Sequence, residues 1–454
     1  MTDKTPIGVV LAYIEETAYR CGSDGTFSAP NVSTNTMYSF DVVKSPPDPP
    51  ITYRTREEYW EIGEGRSLAR ITDLGYSQGE VSLELGLQSA IFLYYALGTA
   101  VTVGSSPYSH DIYESSLTLP SMAMLYQNNE SPSSPAISAN NINKIIYGIV
   151  VSNITISVEQ GAEITMTVDL MSSRTDNLEA GDLLDSTEAP ARFTLKVFTY
   201  EDFIQAGSYI IYASGTVSAI TSGAVTNVTA TQISIGSVTM SVGTTTYAVR
   251  ITSGQGKGQI RVVNAIANAT TLSLNTVTDP WIVTPTTSGN TSYATLYDYS
   301  PCSTSTSASV TATALIGTSD WTNVDSLDIG ITNTLELRPC VGDPYPAKYV
   351  VGKREYSLKT HLYPQNHNTL LTLRNTQHID YTGPIWAKIK FVDATESPTV
   401  HAMEFTHTRM YLSDFPDHIP DWDEVIVGID MEFRNAPDDE FTINTTDNLV
   451  AGQY

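Results

Sequence analysis

Gly254-Gln255-Gly256-Lys257-Gly258 has the residue types of a phosphate cradle, glycines that bare backbone N–H groups and a lysine to meet the charge. The spacing does not complete one. A P-loop needs Ser or Thr after its lysine and a helix beyond, whose N-terminus supplies donors and dipole. Here Gly258 follows Lys257, and Ile260-Arg261-Val262-Val263-Asn264-Ala265-Ile266 reads as a strand. The expectation is a tight β-turn braced by Gln259 and Arg261.

The segment from Asp414 to Glu424 gathers carboxylates around His418, oxygen donors suited to a hard cation such as calcium. Pro416 and Pro420 favour an extended loop, and no glycine stands where an EF-hand bends, so an acidic loop facing solvent or another subunit is expected. His361 with His367, and His401 with His407, are six apart and miss the H-x-x-x-H spacing of a helical metal pair. Even spacing in a strand would put each pair on one side, but surface histidines are the expectation. Cys21, Cys302 and Cys340 are odd in number and form no C-x-x-C, which argues against a disulfide framework or structural zinc. No G-x-S-x-G elbow occurs, and nothing singles out a carboxylate pair for glycoside hydrolysis. Sequons such as those at Asn153, Asn227 and Asn268 are common in Thr-rich chains. No catalytic residue, cofactor or metal is expected.

The elements that would position these residues are mostly strands. Ile154-Ile156-Val158 and Ile164-Met166-Val168 alternate with polar residues across Gln160-Gly161, which predicts a hairpin with one buried face. Leu327-Ile329-Ile331, Phe193-Leu195-Val197, Ala387-Ile389-Phe391 and Val425 to Phe433 alternate likewise. Leu85 to Leu97, stopped by Gly98, predicts a helix of about three turns, with a buried strand as the alternative.

Charge divides the chain. The 454 residues carry 49 Asp and Glu against 24 Lys and Arg, a net −25 that would repel a phosphate backbone and disfavours ordinary nucleic-acid binding. From Ala206 to Leu296 only Arg250, Lys257, Arg261 and Asp279 are charged, a net +2, which leaves −27 elsewhere. That break predicts an inserted β-rich module at 206–296 between domains at 1–205 and 297–454, with Ser303 to Thr313 as a linker or extended strand. The flanks also share a faint repeat: Val151 to Val158 and Val324 to Ile331 both read V-x-x-(I/L)-x-I-x-(V/I). No apolar run is long enough to span a bilayer, and the first residues lack a signal peptide's basic start, so synthesis in the host cytoplasm is expected.

Several segments together resemble tail tube proteins of long-tailed bacteriophages and archaeal viruses. LELGLQSAIFLYYALGTA precedes a His-headed strand from His110 to Tyr126, with Leu119-Pro120-Ser121 inside it. Tyr147 to Met171 resembles the family's "y-G-x-x-V-x-x-L-x-I" strand, Gly turn and return strand. Trp321 to Pro339, Val350 to Tyr363 and a closing strand, Val425 to Ala436, follow in order. The insert resembles a β-module of virion proteins, through Ser253 to Arg261, Asn264, Thr270 to Leu274 and Trp281.

The resemblance implies a mainly β fold: two tube-type β-sandwich domains contributing hairpins to a ring-closed barrel, plus the small inserted β-domain as decoration. It implies a structural virion protein, not an enzyme, which self-associates into stacked rings around a channel for genome DNA. A duplicated tube domain would need three copies per ring and a single one six; the repeat favours three. Tape measure, tail terminator and tip proteins are the implied partners, with double-stranded DNA passing unbound and no membrane contact. The virion tail is the implied location. Glu159, Glu163, Asp169, Asp325, Asp328 and Glu336 are the candidate acidic residues of the channel wall. The alternative reading is a carbohydrate-binding or adhesion β-protein of a virion or cell surface, with the insert as its working part.

Overall fold

In the computed structural model the described residues are 8–16, 19, 38–40, 52–62, 66–115, 118–129, 142–177, 191–192, 197–204, 209–212, 218–229, 231–236, 247–274, 280–298, 324–339, 346–362, 385–393, 401–414, 429–436 and 439–449. They are mainly β. Ahead of the neutral segment come β1 (Gly8–Glu15), β2 (Tyr38–Phe40), β3 (Thr52–Ile62), β4 (Arg66–Gly86), β5 (Gly98–Val103), β6 (Tyr108–Glu114), β7 (Met122–Asn129), β8 (Ile142–Glu159), β9 (Thr165–Ser172), β10 (Arg174–Asn177), β11 (Ala191–Arg192) and β12 (Tyr209–Tyr212). Helix α1 (Ile91–Leu97) lies between β4 and β5, and α2 (Tyr200–Ile204) precedes β12. Next are β13 (Ser218–Val228), β14 (Gln232–Ile235), β15 (Tyr247–Ser253), β16 (Ile260–Ile266), β17 (Thr271–Leu274) and β18 (Tyr293–Asp298). The remainder supplies β19 (Val324–Pro339), β20 (Pro346–Leu362), β21 (Ile385–Val392), β22 (Ala402–Asp414), β23 (Ile429–Asn435) and β24 (Thr442–Asp447).

Strands β13 to β18 close a barrel in the order β13-β14-β17-β16-β15-β18, and the other eighteen form one hydrogen-bonded network, the body. The barrel has its own core, built from Val225, Ile233, Ile235, Val249, Leu272 and Leu296 among others. The body has a single core that draws residues from Leu11 to Ile443, so both flanks of the insert pack into one apolar cluster. Strand β12, inside the segment bounded at 206–296 by composition, pairs with β21 of the body, and β18 runs two residues past that bound.

The predicted hairpin forms as β8 and β9, with Ile154 opposite Val168 and Ile156 opposite Met166. Gly161 turns it at φ +77°, a left-handed conformation that glycine adopts without a Cβ penalty. On its other side β8 pairs antiparallel with β19, Ile156 opposite Ile329, and β19 pairs with β20. The two stretches that resemble each other in sequence are thus immediate neighbours in one ladder.

Two expectations need correction. The helix is two turns, not three, because Val81, Leu83 and Leu85 alternate at period two and their backbone pairs with β9, Leu85 opposite Met166. Its stop stands: Gly98 adopts φ +100°, and a Cβ there would meet the Cβ of Ser115 at 2.7 Å. The segment from His110 to Tyr126 is not one strand, since Leu119-Pro120-Ser121 lies between β6 and β7. Asn333 ties α1 to the sheet, donating from Nδ2 to the carbonyls of Ala96 (3.0 Å) and Val151 (3.2 Å).

Candidate functional site

Period two divides the ladder β9-β8-β19 into a core face and a solvent face. The core side carries Ile154, Ile156, Val158, Met166, Val168, Leu170, Leu327, Ile329 and Ile331, all buried. The solvent side carries Asn153, Thr155, Ser157 and Glu159 of β8, Thr165, Thr167 and Asp169 of β9, and Ser326, Asp328, Gly330 and Thr332 of β19. No lysine or arginine stands among them. Asn153 links the three strands: its Nδ2 donates to Asp169 Oδ2 (3.0 Å), and its Oδ1 accepts from Thr332 Oγ1 (2.9 Å). The first base across the ladder is Lys359 of β20, opposite Asp328.

Of the six acidic candidates, Glu159, Asp169 and Asp328 share this face. Glu163 is exposed beyond the turn, bridging to Thr199. Glu336 is exposed past the irregularity at Asn333 and Leu335 and accepts from Arg338 at 3.2 Å. Asp325 lies in β19, with its side chain outside the described residues.

A second site lies where the barrel seats on the body. Four body strands align a polar row across their outer face: Asp111 of β6, Asn444 of β24, Glu404 of β22 and Lys390 of β21 are successive cross-strand partners. Each is buried, at 2% exposure or less. Charges so desolvated are tolerable only when paired and hydrogen-bonded, and the barrel supplies the partners. Arg261 of β16 forms a bidentate pair with Glu404, Nη1 to Oε1 at 3.0 Å and Nη2 to Oε2 at 2.9 Å. Its guanidinium stacks 4.7 Å from the Trp281 ring centre. Lys390 Nζ donates to Pro280 O at 2.9 Å, and Thr446 Oγ1 to Ile282 O at 3.0 Å.

The glycine-rich loop completes the seam. Gly256 N–H donates to Asp111 Oδ2 at 2.8 Å, while Asn444 Nδ2 donates to Asp111 Oδ1 (2.6 Å) and Lys257 O (3.0 Å). Gly258, at φ +96°, passes so close to β24 that a Cβ would fall 1.8 Å from Thr442 Oγ1. Lys257 Nζ sits 4.4 Å over the ring of Tyr113, and Arg250 pairs with Glu440. Burial pushes the Asp111 carboxyl up to about 6 against the hydrogen bonds from Gly256 and Asn444 and the charges of His110 and Lys257. The loop is indeed a turn and Gln259 braces it, donating to Val283 O at 2.7 Å. Arg261 does more than brace: it reaches out of the barrel to the body.

Sequence reasoning missed the acceptors of this seam. The signal available was that three of the four charges in the neutral segment are basic; Arg250, Lys257 and Arg261 all turn toward the body. His407 is another correction: it is buried, with Nδ1 2.7 Å from Asp439 Oδ2, not a surface histidine. His361 Nδ1 lies 2.6 Å from Asp430 Oδ1. The loop at 415–424, His367 and the three cysteines lie outside the described residues. Among the described residues no helix is long and apolar enough to cross a membrane. No protein-family model and no curated protein matches the chain.

Proposed function

We propose that the chain is a virion structural protein, a tail tube subunit that assembles into stacked rings around a channel for genome DNA and does no catalysis. The observation that carries this reading is the base-free face of β9-β8-β19, where hydroxyls, an amide and carboxylates offer a phosphate backbone nothing to hold it. The order of strand motifs supports it. Because both flanks share one core, we read one tube unit per chain and six copies per ring, not three. On this reading the barrel decorates the outside, and tape measure, terminator and tip proteins are the partners in the virion tail. The alternative, adhesion or carbohydrate binding, is favoured by one feature: the barrel's three cations are used on the body, so its outward strands present mainly Ser, Thr and Asn.

Negative-stain microscopy of the purified chain tests the proposal. Rings or tubes with a central channel are expected, and native mass measurement counts the copies. A persistent monomer would refute the tube, and a monomer that binds glycans would establish the alternative. Replacing Glu159, Asp169 and Asp328 together by Lys should make assembled tubes retain duplex DNA at low salt, where the natural tube does not.

A further inference from the structure

We propose that the seam between barrel and body is an acid-tightened latch: docking the barrel takes up a proton at Asp111, so the barrel is held more firmly in mildly acidic than in alkaline solution. The latch does not depend on assembly into a tube. Barrel and body have separate cores, so the barrel can part from the body without either core being broken. What they share is a polar seam. The body face under the barrel is a row of charged and amide side chains that water would solvate well if the barrel lifted.

Docking changes the solvation of the Asp111 carboxylate, which, unlike Glu404, gains no bidentate guanidinium partner from the barrel. Undocked, it would lie on an open sheet face; docked, it is 2% exposed beneath Gly256. The groups around it are Val101 from β5, Asn444 from β24, and His110 and Tyr113 from its own strand. The barrel adds Lys257, and one strand beyond Asn444 lies Glu404, held by Arg261 with Lys390 alongside. Lys257 and His110 act to lower the Asp111 carboxyl, yet desolvation outweighs them. A neutral Asp111 also has an acceptor at hand: Asn444 Oδ1 is buried without a partner among the described residues, one amide rotation away. A cleft of about 200 Å³ beside the carboxyl is lined by Asp111, Tyr113, Gly254 and Lys257.

The linkage gives a magnitude. A carboxyl moving from 3.8 in the open state to about 6 when docked weakens docking about tenfold between pH 5 and pH 8. Hydrogen exchange of the intact chain, followed at Gly256 N–H, the backbone donor to Asp111 across the seam, and corrected for intrinsic rates, reads this opening directly. The natural chain should open about tenfold more at pH 8 than at pH 5, and Asp111→Asn, neutral throughout, should flatten the profile while leaving His110 and Lys257 in place. An opening that is constant or falls with pH in the natural chain overturns the latch, and that measurement decides even if the variant folds poorly. An undiminished slope in a folded Asp111→Asn protein overturns the assignment to Asp111.

Discussion

Replacing Arg261 by Met should release the barrel from the body without unfolding either. Methionine keeps much of the aliphatic stem, so the loss is electrostatic. Glu404, at 0% exposure, forfeits two charge-assisted hydrogen bonds, while Gln259 Oε1 and Pro280 O each lose one donor but keep others, from Ile282 N and Lys390 Nζ. Removing one partner of a buried ion pair costs about 3–5 kcal/mol, because the other charge is stranded. Lys390, the cross-strand neighbour of Glu404, offsets part of this and sets the lower end, about 3 kcal/mol, or roughly a hundredfold in docking. The barrel core contains neither residue, so it should persist. Hydrogen exchange should then show Gly256 N–H, the backbone donor to Asp111, losing protection while 232–235 keep theirs. Arg261→Met with Glu404→Leu should recover part of the loss, since the stranded carboxylate is gone while Lys390, deprived of its anionic neighbour, keeps its bond to Pro280 O. A single variant within about 1 kcal/mol of the natural chain, its loop still protected, would refute the reasoning. So would simultaneous collapse of barrel and body, which would make the seam part of one cooperative core.

Gly258→Ala should undock the barrel by more than about 2 kcal/mol, since the positive φ is compounded by overlap with Thr442; Gly161→Ala, at positive φ in open space, should cost only about 1 kcal/mol in thermal unfolding. Asn333→Ala removes a donor from the carbonyls of Ala96 and Val151 and the acceptor of Arg354 Nε, and urea unfolding should register about 3 kcal/mol. For Asp111 the folded carboxyl is raised, so its contribution to stability is complete below pH 3.8 and lost as pH rises through about 6. Global unfolding of the natural chain should therefore weaken by about 3 kcal/mol from this group between pH 3 and pH 8, and Asp111→Asn should remove that slope.

The β8-β9 hairpin was legible because period-two alternation and a glycine turn are local signals, and the neutral insert because charge is simply counted along the chain. The seam was not. Arg261 and Glu404 are 143 residues apart, Gly256 and Asp111 are 145 apart, and no short-range pattern encodes either pair. Lys388, Lys390, Glu404 and Thr406 read locally as the wet face of two strands, which is what they would be without the barrel. His407 misled in the same way: its polarity suggests surface, while Asp439, 32 residues on, supplies the buried partner. The helix was overread because a nearly continuous apolar run carries no period, and only the pairing of Leu85 with Met166 decides where strand gives way to helix.

The faint repeat bears on how copies would join. Val151 and Val324 are offset by 324 − 151 = 173 residues, and the cross-strand partners Ile156 and Ile329 by the same 329 − 156 = 173. Equivalent residues meeting in antiparallel strands are related by a two-fold axis through the sheet. A ring of like hairpins repeats by rotation about its channel, so each hairpin meets the next through unlike edges, first strand against second. Strands β8 and β19 are like edges, and the hairpins β8-β9 and β19-β20 therefore stand back to back as one four-strand unit. Such a pair cannot supply two successive positions of a rotational ring. If the chain builds the proposed tube, the repeating element is the whole chain, and a ring of six units takes six copies. A ring that proved to contain three would require β9 or β20 to give up its present neighbour, β4 or β23, and pair instead as the equivalent of the other hairpin's edge.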